Sequence, residues 1–231
     1  MMTTADEHLL SALWQLDGFM TVLRWPVTVK GNYSDIDVIG VRADGVVRFA
    51  ECKATGGPRT VYVVKDSWAC NFVEDWLEEW AESLGNIRRI WSKDECPKWL
   101  PPLDKVKEFS FWFCANLWFP DDNSRKEAER DFNEFVRKNV PVEIQQRSSG
   151  KIISTRDVLI EVVRGVRLEI VDEEYGRRFG DPILDIVREM VRYAYPQAVG
   201  GGVGVSKVIS EETEKKIRDV LWGRKGASHP R

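Results

Sequence analysis

Two alternating runs, Ser34–Arg42 and Val46–Lys53, are separated by only three residues, Ala43-Asp44-Gly45. A gap that short joins antiparallel strands, because a parallel pair needs a crossover of a dozen or more residues. A type I turn followed by Gly45 in the left-handed region closes such a loop. It pairs Arg42 with Val46, and therefore Val41 with Val47, Ile39 with Phe49, Asp37 with Glu51 and Asp35 with Lys53. A two-residue Asp44-Gly45 turn would shift the register by one and set Asp37 opposite Cys52. The three-residue loop is preferred because it also matches the large apolar side chains. Alternation places Asp35, Asp37, Ile39 and Val41 on one face of the first strand. It places Val47, Phe49, Glu51 and Lys53 on one face of the second. The preferred register brings two carboxylates to about 5 Å at Cβ, with a lysine one pleat away.

The elements around the hairpin predict a mixed β-sheet flanked by helices. Thr4 and Glu7 form a capping box for a helix over Thr4–Leu16, with Leu9, Leu10, Leu13 and Trp14 as its stripe. Phe19–Lys30 reads as a strand, and Pro26 within it marks an edge or a bulge. Ala54–Pro58 is a loop and Thr60–Val64 a short strand-like run. Phe72, Val73, Trp76, Leu77, Trp80, Ala81 and Leu84 recur at helical spacing. The opposite face of that helix is acidic and has no base between Asp66 and Gly85, which turns it away from any phosphate backbone. Phe109–Ala115 is an unbroken apolar run expected in the buried middle of the sheet. Ser124 and Glu127 are expected to cap a helix reaching Lys138, and Val142–Gln146 to form a further strand. Thr155–Val166 fits a helix, although its β-branched content also suits a strand. Asp181-Pro182 opens a helix with Ile183, Ile186, Val187, Met190 and Ala194 inward.

These elements divide the chain into a core over residues 1–145, a helical extension packed on it over 146–199, and a Gly-rich linker with a C-terminal helix and tail over 200–231. Gly200–Lys207 faintly resembles a phosphate-binding loop, but it lacks the Gly-Lys-Ser/Thr ending and a preceding strand, so it reads as linker. The 231 residues are 43% hydrophobic, enough for a real core. Most of the ten tryptophans fall in periodic apolar runs and are assigned to packing. A formal net charge of -3 excludes a basic coat over the whole surface, though not a local basic groove. No run of 18 apolar residues predicts a membrane span, and no signal peptide is expected before Glu7, which predicts a cytoplasmic protein with no membrane partner.

The chemistry concentrates on the hairpin. Paired carboxylates repel unless something positive lies between them, and Lys53 offsets only part of that charge. A divalent cation would complete the set, taking one oxygen each from Asp37 and Glu51, the backbone carbonyl of Cys52, and water or phosphate oxygens. The chain has two histidines, His8 and His229, and its four cysteines lack metal-binding spacing. Oxygen ligands therefore predominate, which selects magnesium or manganese. Lys53 would orient or deprotonate an attacking water, or hold a phosphate oxygen. Lys30, Arg59 and Lys65 border the hairpin and are candidate nucleic-acid contacts. Cys52 is expected to point its thiol to the opposite face.

Asp37, followed after thirteen residues by Glu51-Cys52-Lys53 on the next strand, resembles the PD-(D/E)XK nuclease superfamily. This is the restriction-endonuclease-like, Holliday-resolvase-like α/β fold with an αβββαβ core. The resemblance covers roughly Thr4–Asn116; Ile36 stands where the superfamily's name has proline. It implies a magnesium-dependent endo- or exodeoxyribonuclease, with DNA as partner and catalysis at Asp37, Glu51 and Lys53. Many members dimerise, so a homodimer is also allowed. Glu7 has two readings: the extra acid that many resolvase-like members carry on their first helix, or a capping residue only. The alternative function is a non-catalytic nucleic-acid-binding or scaffold module that keeps the fold.

Overall fold

The computed structural model describes residues 4–29, 32–53, 59–60, 63–64, 67–68, 71–92, 96–172 and 182–187. In chain order the elements are α1 (Ala5–Leu16), β1 (Met20–Val29), β2 (Asn32–Val41), β3 (Val46–Lys53), three two-residue strands β4 (Arg59–Thr60), β5 (Val63–Val64) and β6 (Ser67–Trp68), α2 (Asn71–Asn86), β7 (Glu108–Ala115), β8 (Leu117–Trp118), α3 (Asp122–Asn139), the single turn α4 (Val142–Gln145), β9 (Ser148–Ser154) and α5 (Thr155–Asp172). Residues 182–187 are also helical. The fold is α/β. Five strands form one mixed sheet in the order β1-β2-β3-β7-β9. The first three are antiparallel neighbours, whereas β3, β7 and β9 run parallel.

Alternation along the strands sends side chains to two separate cores. On one face Ile39, Val47, Phe49, Phe109, Phe111 and Phe113 pack against Leu77, Trp80 and Leu84 of α2 and Phe132 and Val136 of α3. On the other, Val38, Ala50, Trp112 and Cys114 pack against Leu10 and Trp14 of α1 and Val158, Val162 and Val166 of α5. The apolar run of β7 is needed because both of its faces are covered; seven of its eight residues are buried. Pro26 lies on β1, the edge strand, where a missing N–H breaks no ladder on the outer side.

The loop between β2 and β3 has the expected three residues. Gly45 N–H donates to the Arg42 carbonyl at 3.0 Å, Arg42 N–H to the Val46 carbonyl at 3.0 Å, and Gly45 has φ +91°. The register follows, with Val41 opposite Val47 and Ile39 opposite Phe49.

Later parts of the chain depart from expectation. Asp121, not Ser124, caps α3: its carboxylate accepts from Ser124 N–H at 2.7 Å, so the helix starts two residues before Ser124. Val142–Gln145 is a helical turn begun by Pro141, not a strand. The strand comes after it, as β9, and extends the sheet beyond residue 145, where the core was expected to end. Its polar start, Ser148-Ser149-Gly150-Lys151, hides it from pattern reading. Gly150 is required there, because a Cβ would come within 2.9 Å of Asn133 Cα in α3. Thr155 begins a helix rather than a strand. In the 182–187 turn Leu184 and Val187 face inward, while Ile186 is exposed. Gly200–Gly204 and the helix expected near the C-terminus lie outside the described residues. Among the described residues no helix is long and apolar enough to cross a membrane.

Candidate active site

The strand ladders are interrupted at one place. Between β1 and β2, Leu23 pairs with Val38 and Trp25 with Ile36, with the register unchanged, yet Arg24 and Asp37 between them do not pair. Arg24 has φ +54°, a strained conformation for a residue with a Cβ. Between β2 and β3 the ladder ends at Val38 and Ala50, one step before Asp37 and Glu51. There the Asp37 side chain takes over, its Oδ2 accepting from Cys52 N–H at 2.7 Å. Asp37 and Glu51 are thus register neighbours without a main-chain bond between them, and the structure ties Cys52 to Asp37 through its amide.

This gap opens a cleft of about 260 Å³ lined by Arg24, Asp35, Asp37, Glu51, Cys52 and Lys53 of the sheet and by Trp80 and Ser83 of α2. Asp37 and Lys53 line the same cleft, as the preferred register requires. Lys53 Nζ lies 2.7 Å from Glu51 Oε1. Arg24 Nη1 lies 3.1 Å from both Asp35 Oδ2 and Asp37 Oδ1. Arg24 Nε donates to Glu7 Oε2 at 2.9 Å, and its Nη2 pairs with Glu7 Oε1. Glu7 is fully buried. It also belongs to the helix cap, since its N–H donates to Thr4 Oγ1 and its carboxylate accepts from the Thr4 hydroxyl. The capping reading of Glu7 is thus seen directly, whereas its carboxylate reaches the cleft only through Arg24.

Four carboxylates, Glu7, Asp35, Asp37 and Glu51, meet two cations, Arg24 and Lys53, leaving a formal surplus of two negative charges. Burial pushes the Asp37 carboxyl up to about 7; the Glu51 charge adds to the shift, while the Cys52 amide and Arg24 oppose it. Burial also raises Glu51, against the pull of Lys53. Burial would weaken the charge on Arg24, but its bonds to Glu7 and Asp35 outweigh this and hold it protonated. The Cys52 thiol is raised by its bond to the Cys114 thiol and by burial, so it is an inert core group on the opposite face, as expected.

A formally doubly negative, oxygen-rich, largely buried donor set could take one hard divalent cation, which would also favour ionisation of Asp37. Asp37 and Glu51, which line the cleft together, are the residues that could hold such an ion, with Cys52 following Glu51 on β3. Among the described residues, however, no three His, Cys, Asp or Glu side chains already stand arranged around a single point.

The other candidates lie elsewhere. Arg59 is on β4, whose partner is β8 in a small separate sheet. Lys30 and Lys65 lie outside the described residues. Arg24 was not anticipated from sequence. Its one signal is a charged residue between Leu23 and Trp25 in an otherwise apolar strand, and its target depends on a β1–β2 register that sequence leaves open. A larger cavity of about 650 Å³ is lined by Arg88, Arg89, Trp91 and Leu100 among others, with no carboxylate among the described residues that line it.

No family model matches the chain, and no curated protein matches it. One solved structure, titled a protein of unknown function, AF1548, aligns over 84% of this chain and 97% of that chain at 17% identity, with a TM-score of 0.30. That likeness carries no argument about fold or activity.

Proposed function

We propose that this chain is a divalent-metal-dependent nuclease of the PD-(D/E)XK type that hydrolyses phosphodiester bonds in DNA. One observation carries the reading: Asp37, Glu51 and Lys53 line a single cleft where β2 and β3 part, in a chain where α1, β1, β2, β3, α2 and β7 follow in that order with the short β4, β5 and β6 between β3 and α2. A magnesium or manganese ion bound there would acidify water and neutralise charge developing on a phosphate. Asp37 and Glu51 would hold the ion through their oxygens. Lys53, kept at the cleft by Glu51, orients the attacking water or holds a phosphate oxygen. Trp80 and Ser83 of α2 complete the lining of the cleft. Cytoplasmic action is part of the proposal and is in keeping with the free thiols of Cys52 and Cys114, register neighbours on β3 and β7.

The test is cleavage of labelled duplex, single-stranded and branched DNA with magnesium or manganese, with EDTA as control. Cleavage by the wild type that is lost in Asp37→Asn supports the proposal. Equal cleavage by Asp37→Asn would place the activity elsewhere. One observation favours the alternative, a non-catalytic module: Arg24 already pairs with three of the four carboxylates, as a purely structural network would. DNA binding without cleavage under every metal condition would select that reading.

A further inference from the structure

We propose that Arg24 is a positioning residue that holds Asp35 and Asp37 in the cleft and must release Asp37 when a divalent cation binds. The inference rests on the metal-site reading above.

Asp37 has two oxygens, and both are engaged. Oδ2 takes the Cys52 amide and Oδ1 faces Arg24 Nη1 at 3.1 Å. A cation bound by Asp37 competes with Nη1 for Oδ1. Glu7, Asp35 and Asp37 surround a planar fork with donors on separate nitrogens. An ion draws its oxygens to about 2.0–2.6 Å from one centre, a tighter shell than that fork allows.

The fork is held unevenly. Its Nε and Nη2 edge is bound to Glu7, which is fully buried, in the two-bond geometry that makes guanidinium–carboxylate pairs strong. Its Nη1 edge reaches into the cleft, toward the less buried Asp35 and Asp37. Nη1 is therefore the edge that yields while Glu7 keeps the other. The backbone supports this division. A non-glycine φ of +54° within a strand persists only where neighbours over-determine it, and the Glu7 pair supplies that restraint. Glu7 thus acts through Arg24, from behind it, rather than as a ligand of the ion.

Calorimetric titration of manganese into wild type, Arg24→Gln and Arg24→Lys tests the proposal without reference to cleavage. Removing the competing cation should tighten manganese binding by about tenfold in Arg24→Gln, and Arg24→Lys should stay near wild type. Because Arg24→Gln leaves the buried Glu7 charge unpaired, at a cost to folding, a second comparison sets Arg24→Gln/Glu7→Gln against Glu7→Gln, with the same tightening expected. In wild type, the Arg24 Nη resonances should shift on magnesium addition while the Nε–H resonance bonded to Glu7 persists. Wild-type binding with no gain in either comparison, or unmoved Nη resonances, overturns the role of Arg24 and leaves the metal site standing. Absence of binding in wild type and variants alike removes the metal site and this inference together.

Discussion

Asp37 is held almost out of water, and its protonation is tied to stability. Its carboxyl is raised from an ordinary 3.8 to about 7 by burial and then by Glu51. Between those two values the folded chain carries a proton that the unfolded chain has lost. Stability therefore falls as pH rises through that window, and the contribution is gone above the folded value. Glu51, raised as well, acts in the same direction. In EDTA the wild-type melting temperature should drop from about pH 5 to about pH 8, and Asp37→Asn should flatten part of that slope. An unchanged slope in the variant would mean that Asp37 ionises normally. Lys53 makes a separate prediction. Its pair with Glu51 lies at the end of β3 and adds little to the core, so Lys53→Ala should melt close to wild type and still bind manganese. Its cleavage rate should fall by about 10²–10⁴-fold, the usual loss for a positioned proton-transfer group. Wild-type cleavage by the folded variant would reduce the lysine to a surface ion pair. Asp37, Glu51 and Lys53 could be read from sequence because a three-residue turn and strict alternation fix their relative positions. Arg24 could not. Its place depends on pairing between strands whose connection gives no register, and on a left-handed backbone that no strand pattern encodes.

Strands and helices were readable where two constraints agreed. In β7 every position is apolar because helices cover both faces, and in α2 Leu77, Trp80 and Leu84 repeat at helical spacing on its buried side. β9 met neither condition. It is an edge strand with only Ile152 and Ile153 apolar in its second half, and its first half is polar around a glycine. The glycine is the signal that pattern reading misses, since its value lies in what it leaves out. Gly150 lets α3 settle onto the strand, with its N–H donating to Asn133 Oδ1 at 2.9 Å. An added methyl would meet Asn133 Cα and Val136 Cγ2, each at 2.9 Å, and one of those atoms is backbone. Gly150→Ala should therefore destabilise the fold by about 1–3 kcal/mol, the range for overpacking a filled site. Denaturant titration checks this through a lowered midpoint at constant slope. An unchanged midpoint would show that α3 can shift away without loss.

The two cores make the molecule depend on segments far beyond the site. The charged hairpin lies between residues 34 and 53, yet the sheet that carries it is completed by β9, and α5 is what lies over α1. Gly165 of α5 sits so near Leu16 that a Cβ would come within 2.7 Å of its Cδ1. Val158, Val162 and Val166 are fully buried against α1 and the sheet. A chain ending at residue 145, the core boundary expected from sequence, loses all of these at once. It turns β7 into an edge strand whose hydrogen-bonding side is open to solvent, with an apolar face on which other chains can pair. It also uncovers Trp112 and Cys114 and strips Leu10, Leu13 and Trp14 of α1 of part of their cover. Burial of apolar side chains contributes about 1.5–3 kcal/mol each, so losing three valines alone is comparable to the whole stability of an ordinary domain. Residues 1–145 should therefore show no cooperative thermal transition and should bind ANS, whereas the full chain melts cooperatively. A sharp melt of the 1–145 fragment near the full-length temperature would show that the site-bearing strands form a folding unit without β9 and α5.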